Sequence, residues 1–470
     1  MKLWLDLETY SEVPIRNGTH AYAAGAEVTL FAWAVDDGPV RVWDATAKPS
    51  PPDYLVQAVN QCDEVWAHNS HFDRTVLSHA LPQLCPPLVK WRDTMVQALS
   101  HGLPGALGQL CEILRLPTDV AKDKEGRRFI QLFCKPRNSI IKRATSETHP
   151  DDWARFVEYA ALDVAAMREV HKRLPTWNYK GAELDLWHLD QRINDRGVEI
   201  DMELVHGAIA AVAKAKIALD RQAVEMTAGD VAATTQRALM LDHIAERYGV
   251  ILSDLQMSTV ERVVADEDAD PALRALLEVR LQASTTSTAK YRTLERATSA
   301  DRRLRGTLQF NGASRTGRWA GRLFQPQNLP RPTLKQEQID NGIDALKAGC
   351  ADLITDNVMQ LTSSAIRSCI VAPIGKKLVV ADLANIEGRV QAWLCGEEWK
   401  LQAFREYDDG SGPDLYKLAY SKAFGIESGA VDKDQRQIGK VMELALAYAG
   451  GAGAFSTFAT AFSIDLDALA

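Results

Sequence analysis

The chain opens on Lys2-Leu3-Trp4-Leu5-Asp6-Leu7-Glu8. Side chains on a strand alternate faces, so this run predicts a strand with Leu3, Leu5 and Leu7 on one face and Asp6 and Glu8 on the other. Two carboxylates side by side repel each other, and a cation relieves the repulsion. An oxygen-only pair suits Mg²⁺ or Mn²⁺. For an isolated Asp-x-Glu the competing reading is an exposed polar strand edge, so a metal site requires further acids elsewhere in the chain.

Two later segments add acids of the same kind. Residues 64–77 read as an apolar strand, a polar turn at His68-Asn69-Ser70, and a helix with Asp73 in its first turn. Residues 156–167 form a helical pattern that sets Tyr159 and Asp163 at i,i+4 on one face. A tyrosine hydroxyl one turn from a carboxylate can orient a water that attacks a metal-bound phosphate. Asp6, Glu8, Asp73 and Asp163 would then hold two ions about 3.5–4 Å apart, as in-line phosphodiester cleavage needs.

Asp-x-Glu, Asn69-x-x-x-Asp73 and Tyr159-x-x-x-Asp163, in this order, resemble the DEDD-type 3′–5′ exonucleases of the tyrosine-bearing subclass. The resemblance implies a ribonuclease H-like domain, a mixed sheet flanked by helices, over residues 1–175. It implies two Mg²⁺ or Mn²⁺ ions, a single-stranded DNA 3′ end as substrate, and contact of Asn69 with that strand.

At 470 residues the chain is too long for one ordinary core, and two or three domains are expected. With 46% apolar and 25% charged residues it reads as a soluble globular protein. No apolar run reaches the length of a membrane span, and the N-terminus lacks an apolar signal core. The seven cysteines are scattered, with no Cys-x-x-Cys, so neither structural zinc nor a disulfide framework finds support in the sequence. A reduced, cytoplasmic setting is expected. The net charge of −8 argues mildly against nucleic acid as a partner. Between Lys290 and Lys335, however, nine arginines face only Glu295 and Asp301. That stripe could meet phosphates or be a solvated basic face; both readings stay open.

Residues 28–35 and 40–43 flank Asp36-Asp37-Gly38-Pro39 and predict a hairpin. A boundary is expected near Pro175. Helical patterns run from Ala182 to about Arg296; the first shows an apolar stripe Leu186, Leu189, Ile193 and stops at Arg196-Gly197. Lys377-Leu378-Val379-Val380-Ala381-Asp382 predicts a strand ending in a carboxylate suited to a divalent ion, with Glu387 and Arg389 opening the next helix. Further on, Arg436, Lys440, Leu444 and Tyr448 fall at successive i+4 positions. Two cations one turn apart can clamp a triphosphate, and an aromatic two turns on can stack near a base. An ordinary amphipathic helix with a cationic side is the alternative.

Together these segments resemble DNA polymerase family A, in the domain order exonuclease, thumb, palm, fingers. The implied fold is α/β plus α: the exonuclease domain, then a right-hand polymerase module, with linker and helical thumb at 176–305, partial palm at 306–400 and partial fingers at 401–470. Residues 193–201 look like the opening of the polymerase module. Thr316-Gly317-Arg318 and Gln327-Asn328-Leu329-Pro330 look like the primer–template motif, which implies duplex contacts for Arg318, Gln327 and Asn328. Asp382 through Arg389 resembles motif A, with Asp382 as metal ligand. Arg436-x-x-x-Lys440 and Tyr448-Ala449-Gly450 resemble motif B, which with Glu387 would bind the incoming deoxynucleoside triphosphate. Primer–template DNA is the implied partner, the protein acting as a monomer.

The sequence also departs from the family. Leu383-Ala384-Asn385 replaces the usual middle of motif A, and Leu444 stands where an aromatic residue screens the sugar. Tyr416 replaces a nucleotide-contacting histidine. No His-Asp-Glu, the motif carrying the second palm carboxylate, comes after Tyr448. The expectation is a fragment, the alternative a chain completed by a second polypeptide, with exonuclease complete and polymerase incomplete. A free-standing exonuclease, or a primer–template binding protein with a non-catalytic polymerase-like region, is the rival reading.

Overall fold

A computed structural model of the chain describes residues 1–117, 125–137, 143–285, 287–447 and 450–461. It divides into two compact units, Met1–Lys377 and Leu378–Ala470.

The first strand, β1 (Lys2–Tyr10), lies at the centre of a five-stranded sheet, between β2 (Glu27–Val35) and β4 (Glu64–Ala67), with β3 (Arg41–Asp44) and β5 (Trp91–Asp93) at the edges. Pairing on the β2–β3 side is antiparallel, which is the hairpin expected around residues 36–39, and on the β4–β5 side it is parallel. A bulge between Glu8 and Thr9 breaks the β1–β2 register. Bulges of this kind re-aim side chains and recur beside active sites. On the other side β4 pairs with β1 only through Trp4. Past that point the N–H of Leu7 has lost its strand partner, and the Asp73 carboxylate accepts it at 3.1 Å.

Leu3, Leu5, Phe31, Trp33, Val65 and Trp91 form the centre of the largest core. The long helix Pro150–Arg173 closes it with Phe156, Tyr159, Ala160 and Val164. Helix Ala182–Arg196 ends, as expected, at Gly197, whose φ of 62° is left-handed. Its burial corrects the expected apolar stripe. Leu186 and Leu189 are exposed, while Trp187, His188, Asp190, Gln191 and Asn194 are buried. The neighbours explain the reversal: Trp187 enters the apolar core, and around it they offer hydrogen bonds. His188 Nε2 lies 3.1 Å from the Trp91 carbonyl, Trp319 Nε1 donates to Asp190 at 2.9 Å, and Asn194 exchanges two bonds with the backbone of Leu308. Periodicity reports where apolar residues lie, and here a polar neighbour claimed the other face.

The rest of the first unit carries a three-stranded sheet of β6 (Val198–Ile200), β7 (Arg303–Leu304) and β10 (Ile370–Val371), and a hairpin of β8 (Leu308–Ala313) with β9 (Arg318–Gly321). Helix Met202–Met226, capped by Asp201, packs on helix Gln336–Ala348. Gly207 makes that approach possible: a Cβ there would lie 2.3 Å from the Leu346 carbonyl oxygen. Gly207→Ala is therefore expected to lower the urea midpoint. Overpacking against backbone costs about 1–3 kcal/mol and outweighs the ~1 kcal/mol that alanine adds to helix propensity.

The expected strand at Lys377–Asp382 is not formed. These residues are irregular, with Val379 and Val380 80% and 91% exposed. An apolar run becomes a strand only where neighbouring backbone takes its hydrogen bonds, and no described strand pairs with it. The second unit is helical, with small cores around Ala392, Phe404 and Leu415 and around Tyr420, Val431 and Ile438.

Candidate active sites

The strand, the bulge and the long helix converge. Asp6, Glu8 and Asp163 each present a carboxylate oxygen within 4.8 Å of the others. They line a cavity of about 650 Å³ together with Tyr159, Phe72 and Lys135. Tyr159 is 1% exposed, packed between Phe156 and Phe129, and hydrogen-bonded to Asp163. Burial raises its phenol pKa, and the charges of Asp163, Glu8 and Asp6 raise it further, so the hydroxyl keeps its proton. Room for the ring comes from Gly126, where a Cβ would stand 2.3 Å from Tyr159 Cε2.

Asp73 stands beside this trio rather than in it. Its carboxylate is buried and bound to the Leu7 N–H; burial first, then the charge of Asp6, hold its pKa well above the usual carboxylate range. The donor set is all oxygen and mutually repulsive, which fits hard divalent cations such as Mg²⁺ or Mn²⁺. Asn69 adopts a left-handed φ of 67° at the start of helix Ser70–Ala80.

Sequence reasoning missed the residue that holds this turn. The buried Asp93 carboxylate accepts the backbone N–H groups of Asn69 (3.0 Å), Ser70 (2.7 Å) and Met95 (2.8 Å), besides the Ser70 hydroxyl (3.0 Å). It ends β5, and an acid at a strand end just before a helix was the available signal. Cys134, whose thiol lies 3.7 Å from Glu8 Oε2, carried no such signal in the sequence.

In the second unit, helix Lys433–Leu446 carries Arg436 and Lys440, and helix Ile386–Cys395 carries Glu387. Arg436 Nε donates to Asp414 Oδ2 at 2.8 Å, and its guanidinium lies 5.1 Å from the Tyr416 ring centroid. Glu387, Tyr416 and Leu444 line a cavity of about 210 Å³. Asp382 is exposed on the irregular segment before Glu387. Tyr448 lies outside the described residues.

Arg318 begins β9, and Gln327 and Asn328 sit in a short 3₁₀ turn, all three exposed. The basic stripe is less uniform than its composition implied. Arg305 forks onto Asp301 at 2.6 and 2.8 Å and Arg302 meets Glu199 at 3.2 Å, so these cations already serve acids of the protein. Arg315, Arg318 and Arg331 are exposed on the hairpin and the segment after it.

The family model for DNA polymerase family A matches residues 224–464. A DNA polymerase of Bacillus phage SP02 is 35% identical over 466 residues, covering 96% of this chain and 70% of that protein. The chain belongs to DNA polymerase family A. DNA polymerase I of Pseudomonas aeruginosa is a more distant relative, 24% identical over 306 residues, or 62% of this chain and 30% of that one. Among solved structures, the POL domain of Pol1 from M. smegmatis, in complex with DNA primer-template and dNTP, aligns with a TM-score of 0.58 at 16% identity. The alignment covers 98% of this chain and 70% of that one, and shows a shared polymerase fold. The family A match spans the helices that carry Glu387, Arg436 and Lys440. Among the described residues, no helix is long and apolar enough to cross a membrane.

Proposed function

We propose that this family A DNA polymerase chain carries a two-metal 3′–5′ exonuclease that trims single-stranded DNA ends. The observation behind this reading is the convergence of Asp6, Glu8 and Asp163 with the Tyr159 hydroxyl in one cavity. The ribonuclease H-like domain is assigned to residues 1–175, then linker and thumb to 176–305, palm to 306–400 and fingers to 401–470. Divalent ions, when bound, polarise the phosphodiester and acidify the attacking water. Asp6, Glu8 and Asp163 would hold them, with Asp73 fixing β1 alongside. The Tyr159 hydroxyl keeps its proton and orients the water, and Lys135 on the cavity wall faces the strand's phosphates.

For synthesis, Asp382 is assigned as a metal ligand, Arg436, Lys440, Glu387 and Tyr448 to the deoxynucleoside triphosphate, and Arg318, Gln327 and Asn328 to primer–template. These residue assignments follow the motif resemblance; the M. smegmatis neighbour, solved with DNA primer-template and dNTP, supports only the choice of ligands.

The test of the exonuclease is a 5′-labelled single strand incubated with Mg²⁺, and again with a chelator. A ladder shortening from the 3′ end, abolished by the chelator, is expected; no shortening, or loss of the 5′ label as mononucleotide, would overturn the reading. DNA binding tests the hairpin. Each phosphate contact adds about 0.9 to the slope of log affinity against log salt on duplex DNA. Reversing Arg315 and Arg318 together should flatten the slope by up to ~1.8. The same change at Arg302 and Arg305 should mainly cost stability, since those side chains hold acids of the protein.

A further inference from the structure

His20, His71 and Asp195, none of which lines the carboxylate cavity, bring one ligand atom each within 4.8 Å of one another. They come from three helices far apart in sequence: Thr19–Ala23, Ser70–Ala80 and Ala182–Arg196. His20 is 8% exposed, and its Nε2 is buried with no hydrogen-bond partner among the described residues. Its nearest acid is Asp195, with Oδ1 at 3.8 Å, beyond hydrogen-bond range.

The hydrogen bonds around His71 determine which of its nitrogens is available. Arg74 Nη2 lies 3.1 Å from Gln191 Oε1, and a guanidinium can only donate, so that atom is the amide oxygen. Gln191 Nε2, consistently, donates to Asp190 Oδ2 at 3.0 Å. His71 Nδ1 sits 3.0 Å from the same Oε1 and must therefore carry the proton. Its Nε2 is left with a bare lone pair. A histidine whose Nδ1–H is held by a carbonyl oxygen, leaving Nε2 for the ion, is the usual arrangement around a bound transition metal.

The geometry points to a structural site for a zinc-class divalent ion, held by His20 Nε2, His71 Nε2 and Asp195 Oδ1. Two imidazoles and one carboxylate select Zn²⁺, Co²⁺ or Ni²⁺ over Mg²⁺. Ligand atoms of a tetrahedral zinc, each about 2.0–2.1 Å from the metal, lie about 3.3 Å apart. The 3.8 Å between His20 and Asp195 closes to that by small side-chain rotations. Arg74 bonds both oxygens of Asp195, at 2.8 Å on Oδ1 and 2.7 Å on Oδ2. Each oxygen keeps a second lone pair, so Arg74 orients the carboxylate, while its charge lowers the affinity of the site. Arg305, whose Nε bonds the Asp195 carbonyl at 2.7 Å, is neutralised by Asp301. An ion here would tie the helix that carries Asp73, two residues after His71, to helix Ala182–Arg196.

The test uses the 470-residue chain with Asp6→Ala and excess Mg²⁺, so that the carboxylate cavity does not compete. Co²⁺ titration should give one equivalent with visible d–d absorption, displaced by Zn²⁺. Adding His20→Ala or His71→Ala should remove the band, and Gln191→Leu should weaken binding about 10–100-fold. If His20→Ala fails to fold, His20→Gln gives the same readout at nearly unchanged volume. No band in the parent protein, or a band that survives loss of both histidines, would overturn the site. The readout is metal binding, so it stands apart from whether the exonuclease is active.

Discussion

Asp6→Ala should abolish metal-dependent release of nucleotides from a single-stranded 3′ end. Asp6 is one of three carboxylates whose oxygens converge, and its charge also acts on Asp73 and Tyr159. Removing it leaves too few oxygens to hold the ions that polarise the phosphate. Tyr159→Phe should behave differently. The ring still fills its place beside Phe156 and Phe129, so Mn²⁺ affinity by calorimetry should not change. Only the hydroxyl that orients the water is lost, and the turnover rate should fall on the order of 10²-fold. Gly126→Ala should approach the same defect without touching any reacting group, because the new Cβ would stand 2.8 Å from the Tyr159 hydroxyl oxygen and push the ring aside. Initial rates on a labelled oligonucleotide, beside metal titrations, separate the three. Full activity in Asp6→Ala, with contaminating nuclease excluded, would remove the assignment.

Arg436→Ala should weaken deoxynucleoside triphosphate binding by about 10–100-fold, from the 1.5–3 kcal/mol typical of a charge-assisted hydrogen bond. Asp414 and the Tyr416 ring hold the guanidinium in place, and Asp414 itself caps the next helix through the N–H groups of Tyr416 and Lys417. A phosphate would meet a cation that is already oriented. Arg436→Lys should recover only part of the loss, because an ammonium cannot copy the planar fork. Lys440→Ala should cost less, being a single flexible point charge. Nucleotide binding by fluorescence titration is the direct measure of these residues. Unchanged affinity in Arg436→Ala, with circular dichroism intact, would mean that the cationic face of helix Lys433–Leu446 is only solvated.

The acids of the first cavity could be read from the sequence because each signal was local. A two-residue period put Asp6 and Glu8 together, and an i,i+4 spacing put Tyr159 over Asp163. Asp93 could not be read this way. Its place at a strand end before a helix points only to the cap it makes there, whereas its role is to accept N–H groups from a turn 23 and 24 residues away. Helix Ala182–Arg196 misled for a related reason: its apolar spacing was real, but which face was buried depended on neighbours that offered hydrogen bonds.

By itself the sequence determined the elements that arise from short-range sterics and alternation: β1 with its acids, the β2–β3 hairpin, the Tyr159 helix, and the stop at Gly197. Only the tertiary structure decided what required a distant partner. It set Asp73 on the Leu7 N–H where β4 leaves β1, committed Arg302 and Arg305 to protein acids, and left Lys377–Asp382 without a sheet. The physical reason is the same in each case. Backbone geometry and side-chain spacing are properties of neighbours in the chain, whereas hydrogen-bond and ion-pair satisfaction belongs to whichever group the fold brings within about 3 Å.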